Sequence, residues 1–397
     1  MILRDSKFPG DIRVENEAFA LIEAGHKVFL FCDPLPQRPN REIYEGITVI
    51  RIPPVPNNIL RKLNSLLYYS LLRNYYWQIT VEKYHQQHQF DAFHVHDLPF
   101  TRTFIDLGRR LSVPVVFDSH ENFPIGLQYY EKNFSINFFN DLWANSIYNL
   151  DRWLRYEKES FAKADKIIST VPEMNERIIR LGIPADKITI VSNTLNLAEF
   201  DSFALDPQIV SRYAHRFVIS YIGSLAQHRR LDTIVRAMPT ILSHIPDALL
   251  LVVGQITPEL SSLVEKMDLT HAVELVGWQK FSTMPSYIQA STIGVLPQEP
   301  NEHTSNTIPH KLFQYMYLQK PQVVSNCSAV SRIVRETGCG IICEASLDNV
   351  EAWADAIVSL KDSTLRQKMG QGGRQGVIDK YNWAVDKQQL VAMYGNI

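Results

Sequence analysis

Short apolar runs alternate with amphipathic segments along the chain, and this alternation constrains the fold more than any other feature. Segments 15–24 and 101–111 have helical spacing. The predicted strands are 26–31, 90–96, 113–119, 165–170 and 187–193 in the first half and 217–224, 248–255, 272–278, 291–297 and 321–326 in the second. Apolar strands that alternate with helices are typical of parallel sheets covered on both faces. The sequence therefore predicts an α/β fold.

A looser stretch, 197–215, interrupts the alternation and divides the sequence into two α/β domains. The length of 397 residues accommodates two domains of ordinary size. We place the first domain at residues 1–200, the second at 201–380 and a separate final helix at 381–397. Open parallel sheets bind ligands beyond the carboxyl ends of their strands. We therefore expect two Rossmann-like domains that face each other across a cleft, where the ligand binds.

Composition and charge exclude several classes of function. A net charge of −2 gives no global positive field for nucleic acid, and a hydrophobic content of 45% is that of an ordinary globular protein. The four cysteines are too few and too unevenly spread for a disulfide framework or a zinc site. We expect reduced, structural thiols in a cytoplasmic protein. Neither a signal peptide nor an apolar run of ~20 residues for a membrane helix is visible.

Two predicted helix starts in the second domain carry cations. Arg229 and Arg230 follow a strand and the turn at Gly223, and Lys311 follows strand 291–297 by one loop. The amino end of a helix is partly positive, so cations there are unfavourable unless an anion binds as well. The two starts together predict one anionic ligand, and a nucleoside diphosphate is the natural candidate.

The loop before Lys311 suggests how its helix begins. Asn306 or Thr307 is suited to cap the helix, and Pro309 fits an early helical position where its missing N–H has no role. Apolar strand 272–276 with Gly277, and the segment 297–298, are predicted to wall a pocket for the base of the nucleotide.

In the first domain, polar side chains follow predicted strands. His120 and Glu121 lie past one strand end, and His96 and Asp97 lie past another. His120 could supply hydrogen bonds or acid–base chemistry. Because His94 and His96 alternate along a strand, we expect them to face different ways and predict no metal site. At the first strand-to-helix turn, Gly10 and Arg13 are placed to approach a ligand.

Several segments carry a family resemblance in their order and spacing. They are "DIRVENEAFALIEAGHKV" (11–28), "FDSHENFP" (117–124), "IVSNTLNLAEF" (190–200), "GSLAQHRRLD" (223–232), "NTIPHKLFQYMYLQKPQVVS" (306–325) and "YNWAVDKQQLVAMY" (381–394). With them the chain resembles the retaining glycosyltransferases of family 4 over essentially its whole length. The resemblance implies the GT-B fold, with a last helix that crosses back to the first domain.

The resemblance implies a sugar-nucleotide donor held mainly by the second domain. Arg229 falls at the lysine that binds the diphosphate, and Gly10 falls in the loop beneath it. Asn306 falls at a glutamate near the donor sugar, and Gln314 falls at a second glutamate that holds the ribose hydroxyls. His120 falls at a histidine that contacts the transferred sugar. No metal or other cofactor is implied.

The chain also departs from the family pattern. Ser224 stands where a second diphosphate-binding arginine is usual, and we interpret Lys311 as its replacement. Asn306 and Gln314 are amides in place of both glutamates, and Gln319 replaces a common glycine. An amide still forms hydrogen bonds with a hydroxyl, but without the added strength of a charged acceptor.

We therefore predict retaining transfer of a hexose from a UDP- or GDP-sugar to a hydroxyl acceptor, in the synthesis of a surface polysaccharide or glycolipid. The predicted catalytic residues are His120, Asn306, Arg229 and Lys311. The predicted donor-binding residues are Gly10, Arg13, Gly223, Ser224, Gly254, Leu275, Gly277, Pro297, Thr307, Ile308 and Gln314. The predicted acceptor-side residues are His96, Asp97 and Glu121.

The acceptor and two rival functions stay open. Segments 59–77 and 137–158 are aromatic, apolar and basic, so each could lie on the inner face of the plasma membrane and meet a lipid-linked acceptor. For both we favour an ordinary domain helix with a buried face. Asn306, Gln314 and Ser224 together also fit a sugar-nucleotide-binding partner subunit without catalysis. A sugar-nucleotide epimerase would need carboxylates, for which Glu121 and Glu302 are the candidates.

Overall fold

A computed structural model describes three stretches of the chain: residues 1–4, 8–130 and 149–397. The contacts divide the chain into two compact units. One is Met1–Ser192 together with Asp386–Ile397, and the other is Asn193–Val385. Each unit has a largely parallel sheet with helices packed against it, so the predicted α/β class is correct for both.

The first unit contains seven strands and seven helices before its return segment, within the described residues. The strands are β1 (Phe29–Cys32), β2 (Arg41–Tyr44), β3 (Ile47–Arg51), β4 (Phe93–His96), β5 (Val115–Ser119), β6 (Lys166–Ser169) and β7 (Ile188–Ile190). The helices are α1 (Ile12–Glu23), α2 (Asn58–Leu71), α3 (Tyr75–His88), α4 (Thr101–Leu111), α5 (Phe123–Tyr130), α6 (Leu150–Lys163) and α7 (Pro172–Arg180). All five strands predicted for this half are present.

The sheet of the first unit is parallel except at one edge. Strands β4, β5, β6 and β7 pair in chain order, and β1 pairs with β3. Ile2 forms bridges to both Phe31 and Val95, which joins the two groups of strands. The antiparallel pair β2–β3 was not predicted. Its two-residue turn, Glu45 and Gly46, has positive φ at both positions, the geometry that suits a tight hairpin.

The second unit contains six strands and ten helices within the described part of the chain. The strands are β8 (Phe217–Ile222), β9 (Ala248–Val253), β10 (Val273–Gly277), β11 (Ile293–Leu296), β12 (Gln322–Ser325) and β13 (Gly340–Cys343). The helices are α8 (Leu197–Ser202), α9 (Pro207–Arg212), α10 (Leu231–His244), α11 (Pro258–Lys266), α12 (Met284–Ala290), α13 (Glu302–Ser305), α14 (His310–Tyr317), α15 (Ser328–Thr337), α16 (Val350–Ser359) and α17 (Ser363–Asp379). Of the six strands, only β13 was not predicted.

The six strands of the second unit form one parallel sheet in the order β10-β9-β8-β11-β12-β13. Strands β8 and β9 are buried along their whole length, which explains their unbroken apolar sequences. The chain winds outward from β8 in one direction and from β11 in the other. The strand order therefore reverses between β8 and β11, and the carboxyl ends of these strands mark the switch point where open α/β sheets bind ligands.

The last helix, α18 (Trp383–Tyr394), returns to the first unit, as predicted. The amide of Ser192 donates a hydrogen bond to Asp386 Oδ1 at 3.1 Å. Farther along, the Tyr394 hydroxyl lies 2.8 Å from Nδ1 of His94 in β4. The end of the chain is thus part of the polar interior of the first unit.

The segment 59–77 differs from the helix that we favoured. It forms two helices, α2 and α3, and within α2 only Tyr68 is buried. The expected buried apolar face was therefore wrong for α2. Of segment 137–158, residues 137–148 lie outside the described residues. No helix in the described ranges is both long enough and apolar enough to span a bilayer.

Candidate functional site

Arg229 and Lys311 form a cationic cluster at the carboxyl end of the second sheet. Arg229 ends a short 3₁₀ turn after β8, and Lys311 is the second residue of α14. The Nζ atom of Lys311 lies over the ring of Tyr221, 3.7 Å from its centroid. A Cβ atom at Gly223 would lie 2.7 Å from this nitrogen, so the missing side chain leaves room for the ammonium group. We call Tyr221, Gly223, Arg229 and Lys311 the cationic cluster.

Within the described residues, the charges of the cationic cluster have no counter-ion. Nζ of Lys311 and Nε and Nη1 of Arg229 are buried, and none of them has a hydrogen-bond partner in the described part of the chain. Burial, and then the neighbouring Arg229 charge, lowers the pKa of Lys311 well below its ordinary value. Buried cations without partners are unfavourable. The arrangement is therefore suited to an anion that comes from outside the chain.

Gly223 and Gly254 shape the backbone beside the cationic cluster. They follow β8 and β9 and have φ values of +132° and +152°. A Cβ atom at Gly254 would lie 2.0 Å from the carbonyl oxygen of Gly223, so a side chain is excluded there. The close approach lets the ends of β8 and β9 lie side by side, next to the switch point between β8 and β11.

Two local expectations about this region were wrong. Arg230 does not join Arg229, because its guanidinium donates hydrogen bonds to Asp232 and Asp348. Helix α14 has no side-chain cap, since Pro309 is the residue that precedes it. Asn306 and Thr307 instead donate back to carbonyl groups of α13, at 2.6 and 3.0 Å. Of the two arginines, Arg229 is thus the one without a carboxylate partner in the ranges that the structure describes.

The two amides at the predicted glutamate positions are both buried. Asn306 Nδ2 donates to the carbonyl oxygen of Glu302. Gln314 is 4% exposed, and its Nε2 lies 3.1 Å from Nδ1 of His310. Burial lowers the pKa of His310 to about 4, so its imidazole is neutral at pH 7 and Nδ1 can accept that hydrogen bond. Gln314 is therefore held by its own helix.

The other predicted donor-binding residues of the second unit surround the same strand ends. Ser224 is exposed after β8, and its carbonyl accepts from the Tyr221 hydroxyl at 2.6 Å. Leu275 and Gly277 lie in β10, buried Pro297 follows β11, and Thr307 and Ile308 precede α14.

Asp118 organises a second polar group, in the interior of the first unit. Its carboxylate accepts two hydrogen bonds from Arg13, from Nη2 at 2.6 Å and from Nε at 3.0 Å. Nε2 of His120 lies 2.6 Å from Asp118 Oδ2, and Nδ1 of His96 lies 3.1 Å from the same oxygen. We call Arg13, Glu17, His94, His96, Asp118 and His120 the histidine cluster.

His94 and His96 share one face of β4, contrary to our expectation. Their rings stack with centroids 4.4 Å apart, because residues i and i+2 of a strand point the same way. His94 Nε2 lies 3.3 Å from Glu17 and 3.6 Å from Asp118. Both histidines therefore belong to the histidine cluster.

Charges within the histidine cluster compensate one another. Burial alone would raise the pKa of Asp118, but the Arg13 and His120 charges hold it well below its ordinary value. Burial alone would lower the pKa of His120, but the carboxylates of Asp118 and Asp97 raise it to about 10. At pH 7, His120 is therefore an imidazolium paired with an Asp118 carboxylate.

The remaining members of the histidine cluster are neutral at pH 7. Burial raises the pKa of Glu17 to about 8. Burial lowers the pKa values of His94 and His96, and the neighbouring His94 adds to the effect on His96. The buried charges are thus limited to Arg13, Asp118 and His120.

The histidine cluster also has the composition of a metal site. Ligand atoms of Glu17, His94, His96 and Asp118 all lie within 4.8 Å of one another. However, Nη2 of Arg13 already lies 2.6 Å from Asp118 and 3.0 Å from Glu17. The guanidinium occupies the place of a cation between the two carboxyl groups, so the geometry favours a hydrogen-bonded network over a metal site.

The predicted acceptor-side residues lie beside His120. Asp97 Oδ1 is 3.6 Å from Nδ1 of His120, and burial raises the pKa of Asp97 to about 6. The Asp97 backbone is unusual, with φ +62° and ψ 162°, and such strain clusters at functional positions. Glu121 is half-buried, and Gly10 is exposed, with its amide donating to Glu15 Oε1. Arg13 points inward to Asp118 and not to the surface.

Sequence reasoning missed Asp118, Glu17 and Tyr394 as members of the polar interior. Asp118 was visible in "FDSHENFP", where one residue separates it from His120 along a strand end. The period of two along β4 would also have found His94. Glu17 stands four residues after Arg13 on α1, and this spacing could have revealed that pair. Tyr394 gave no such signal, because its partner His94 lies on a distant part of the chain.

Two models of glycosyltransferase domains match this sequence. The one described as a glycosyl transferase 4-like domain matches residues 11–194. The one described as glycosyl transferases group 1 matches residues 216–363. Each matched range falls largely within one of the two α/β units.

Individual relatives are more distant. The chain is 24% identical over 249 residues to the capsular polysaccharide biosynthesis glycosyltransferase CapM of Staphylococcus aureus, which is 60% of this chain and 63% of CapM. It is 22% identical over 240 residues to an uncharacterised glycosyltransferase of Methanocaldococcus jannaschii, or 58% and 59% of the two chains. The matches thus span about three fifths of each relative.

Solved structures share the fold over the whole chain. Sucrose-phosphate synthase from Thermosynechococcus elongatus superposes with a TM-score of 0.79 at 18% identity, covering 100% of this chain and 97% of that one. HepE of Anabaena, solved in complex with UDP, gives 0.73 at 13% identity, with coverage of 100% and 99%. The architecture of two Rossmann-like units is therefore that of the GT-B glycosyltransferases. Together with the two domain matches, it places this chain among the glycosyltransferases of the GT-B type.

Proposed function

We propose that this chain transfers a hexose from a UDP- or GDP-sugar to a hydroxyl acceptor, with retention of configuration. The proposal rests on the cationic cluster, in which Nε and Nη1 of Arg229 and Nζ of Lys311 are buried without a counter-ion among the described residues. A diphosphate presents adjacent anionic oxygens that both cations can bind. The site lies at the switch point of the sheet, where nucleotides bind in open α/β folds.

The relatives suggest the donor and the setting. HepE has been solved with UDP-glucose, and CapM is named for capsular polysaccharide biosynthesis. We accordingly propose a nucleotide sugar as donor and a growing surface polysaccharide or glycolipid as acceptor.

The cationic cluster would act on the leaving group. When the bond between the sugar C1 and the diphosphate oxygen breaks, negative charge accumulates on the diphosphate. Arg229 and Lys311 stabilise that charge where they lie, without reorganisation, which is usually the largest electrostatic contribution to catalysis. In this scheme the chain's own cations perform the task, and no metal ion is required.

Retention would follow from attack on the same face that the diphosphate leaves. Asn306 stands where a carboxylate nucleophile would be needed, and an amide cannot form a glycosyl ester. The acceptor oxygen therefore bonds to C1 as the diphosphate departs, and the acceptor proton passes to the departing phosphate oxygen. The donor phosphate thus serves as the base.

His120 would bind the transferred sugar as a hydrogen-bond donor and not as a base. Its Nε2 is taken by Asp118 at 2.6 Å, which leaves Nδ1–H, on the side of Asp97, to reach a ligand. Asp118 and Arg13 act as positioning residues, since they hold the ring in its orientation and in its protonated form.

A second candidate is a sugar-nucleotide-binding subunit without catalytic activity. The observation that favours it is the engagement of both amides, Asn306 with Glu302 and Gln314 with His310, inside the protein. This candidate predicts nucleotide binding with neither sugar transfer nor donor hydrolysis.

The decisive experiment measures nucleotide affinity by titration calorimetry. The double variant Arg229→Ala, Lys311→Ala should bind UDP or GDP at least about a hundredfold more weakly than the wild type, because each lost charged hydrogen bond contributes about 1.5–3 kcal/mol. A second assay measures the release of UDP or GDP from a panel of nucleotide hexoses, with and without a lipid extract as acceptor source. Release indicates a transferase, and binding without release indicates a subunit that has no catalytic activity.

The matched control is Arg236→Ala, Lys266→Ala, which removes two exposed cations from the same unit. It should bind nucleotide like the wild type. Equal affinity of the Arg229/Lys311 double variant and the wild type for both nucleotides would refute the proposed donor site.

A further inference from the structure

The amine of Lys311 is packed against groups that offer it no negative charge. The titratable and charged groups that face it are Tyr221 on β8 and, on the 3₁₀ turn that follows, His228 and Arg229. His303 of α13 packs against His228, with the two ring centroids 5.3 Å apart. Within the described residues, the buried Nζ atom has no hydrogen-bond partner. The described chain thus places no anion beside this amine to hold its proton.

Arg229 is the charged neighbour of this amine. Burial raises the pKa of Tyr221 above its ordinary value and lowers the pKa of His228 to about 3, so both side chains are neutral at pH 7. A guanidinium keeps its proton in proteins, because its pKa lies above ~12. Two buried like charges side by side are unfavourable, and the amine is the group that can become neutral. The ligand-free protein therefore favours a neutral Lys311.

A bound diphosphate reverses this preference. Its oxygens carry negative charge, and an opposite charge within about 4–6 Å favours the charged form of an amine. Hydrogen bonds from an ammonium group to anionic oxygens are also stronger than those from a neutral donor. The same nitrogen atom of Lys311 therefore has opposite preferences with and without the ligand.

We propose that Lys311 takes up a proton when the nucleotide donor binds and gives it back when the nucleotide leaves. The ligand-free site holds the neutral amine, and the ammonium form binds the diphosphate. The proton comes from the solvent and forms the third N–H bond of Nζ, so none is consumed over a full cycle. The proposal rests on the proposed function, because it concerns the regulation of the same donor site by pH.

The direction of the pH effect follows from the proton balance. The complex holds one proton more than the free protein and the free nucleotide, so rising pH weakens binding. One proton corresponds to a loss of affinity of up to about tenfold per pH unit. At a pH where the nucleotide itself is fully ionised, acidification therefore favours donor binding and alkalinisation favours release.

Titration calorimetry at about pH 8 tests this with UDP or GDP, whichever the wild type binds. The terminal phosphate of the nucleotide titrates at about pH 6, so it is already ionised. The binding enthalpy is measured in HEPES and in Tris, which differ in ionisation enthalpy, and its slope against that enthalpy gives the number of protons taken up. We expect more than about half a proton per nucleotide, and an affinity that falls several-fold over one pH unit.

Variants assign the proton to its site. Lys311→Arg keeps a cation that does not lose its proton, so it should bind nucleotide without proton uptake. Lys311→Met should bind more weakly and also without uptake. Arg229→Ala should take up less, because without the neighbouring charge Lys311 keeps more of its proton in the ligand-free protein. The matched control, Lys320→Met, alters a second lysine whose burial lowers its pKa, to about 8, and should take up protons like the wild type.

The possible outcomes separate this proposal from the proposed function. Proton uptake by the wild type and the Lys320 variant, and by neither Lys311 variant, supports it. Nucleotide binding by the wild type without proton uptake would overturn it and leave the donor site intact. Uptake that persists in either Lys311 variant would overturn the assignment to Lys311. Binding of neither UDP nor GDP would refute the donor site itself, and this proposal with it.

Discussion

The histidine cluster and the cationic cluster both contain buried charges, but they differ in how those charges are balanced. In the first, Asp118 accepts from Arg13 and lies 2.6 Å from His120, so cations and anion compensate one another. In the second, Lys311 and Arg229 have no anionic partner in the described part of the chain. A balanced cluster holds its side chains in place, whereas an unbalanced one favours a ligand that completes it. The comparison suggests separate roles, positioning in the first unit and anion binding in the second.

The largest expected effect comes from breaking the balanced cluster. Asp118→Asn leaves Arg13 and His120 buried without their carboxylate and should destabilise the first unit by about 3–5 kcal/mol. Hydrogen exchange of the amides in β4, β5 and β6 measures this locally. The control Asp106→Asn removes the partner of Arg73 in a more exposed pair and should cost no more than about 1 kcal/mol. Similar losses of stability in the two variants would contradict the proposed role of Asp118 in balancing the charges of Arg13 and His120.

A smaller effect is expected from pH. The pKa of His120 is raised to about 10, so the folded state holds this proton more tightly than the unfolded chain. Its contribution is fully present below about pH 6.5 and is lost progressively as pH rises through 10. Urea unfolding of the wild type and of His120→Gln, which keeps a hydrogen-bond donor but does not titrate, measures it. If the difference in the free energy of unfolding between the two proteins stays constant from pH 6.5 to pH 10, His120 is not an imidazolium in the folded state.

Gly223→Ala tests the space around the unbalanced charges. A methyl group would lie 2.7 Å from Lys311 Nζ and would strain a backbone at φ +132°. We expect a loss of stability of about 1–3 kcal/mol and weaker nucleotide binding. Gly338→Ala has positive φ as well but open space, so it should lose stability while its nucleotide affinity stays unchanged. Equal nucleotide affinities in the two variants would count against a role for this space.

The smallest effect has the opposite sign. Lys311→Met removes a buried amine that has neither a hydrogen-bond partner nor a counter-ion in the described part of the chain, so it should stabilise the protein without ligand by about 1 kcal/mol while it weakens nucleotide binding. Lys320→Met is the comparison, because Lys320 donates to the Gln289 carbonyl at 2.9 Å and its loss should not stabilise. Thermal unfolding with and without UDP measures both. If Lys311→Met destabilises the ligand-free protein, Lys311 has a structural partner and the contrast between the two clusters fails.

Much of the fold was predictable because the apolar patterns of strands and helices depend on residues close together in the sequence. All ten predicted strands are present, since each is a short apolar run that a buried parallel strand requires. Of the missed strands, β2 is partly exposed and alternates polar with apolar residues, and β13 is only four residues long and half-buried along most of its length. β3 is apolar and mostly buried, so the same pattern applied to it and the prediction overlooked it.

Side-chain directions were harder to predict. The caps expected from Asn306 and Thr307 failed because both residues bond backward to α13, a short helix that was not predicted. The buried face expected in segment 59–77 failed because apolar spacing shows that a helix has two sides but not which side meets the protein. In α2 the polar side does.

The sequence by itself determined where the strands end and which charges follow them, because both depend on residues close together in the chain. It thereby located Arg229, Lys311 and His120 at strand ends. Only the tertiary structure decided which charges are paired. Arg13 meets Asp118 across 105 residues, and His94 meets Tyr394 across 300. Pairing of buried charges requires contact in space, which local periodicity does not encode. For the same reason, only the folded chain shows that Lys311 has no anionic partner among the described residues.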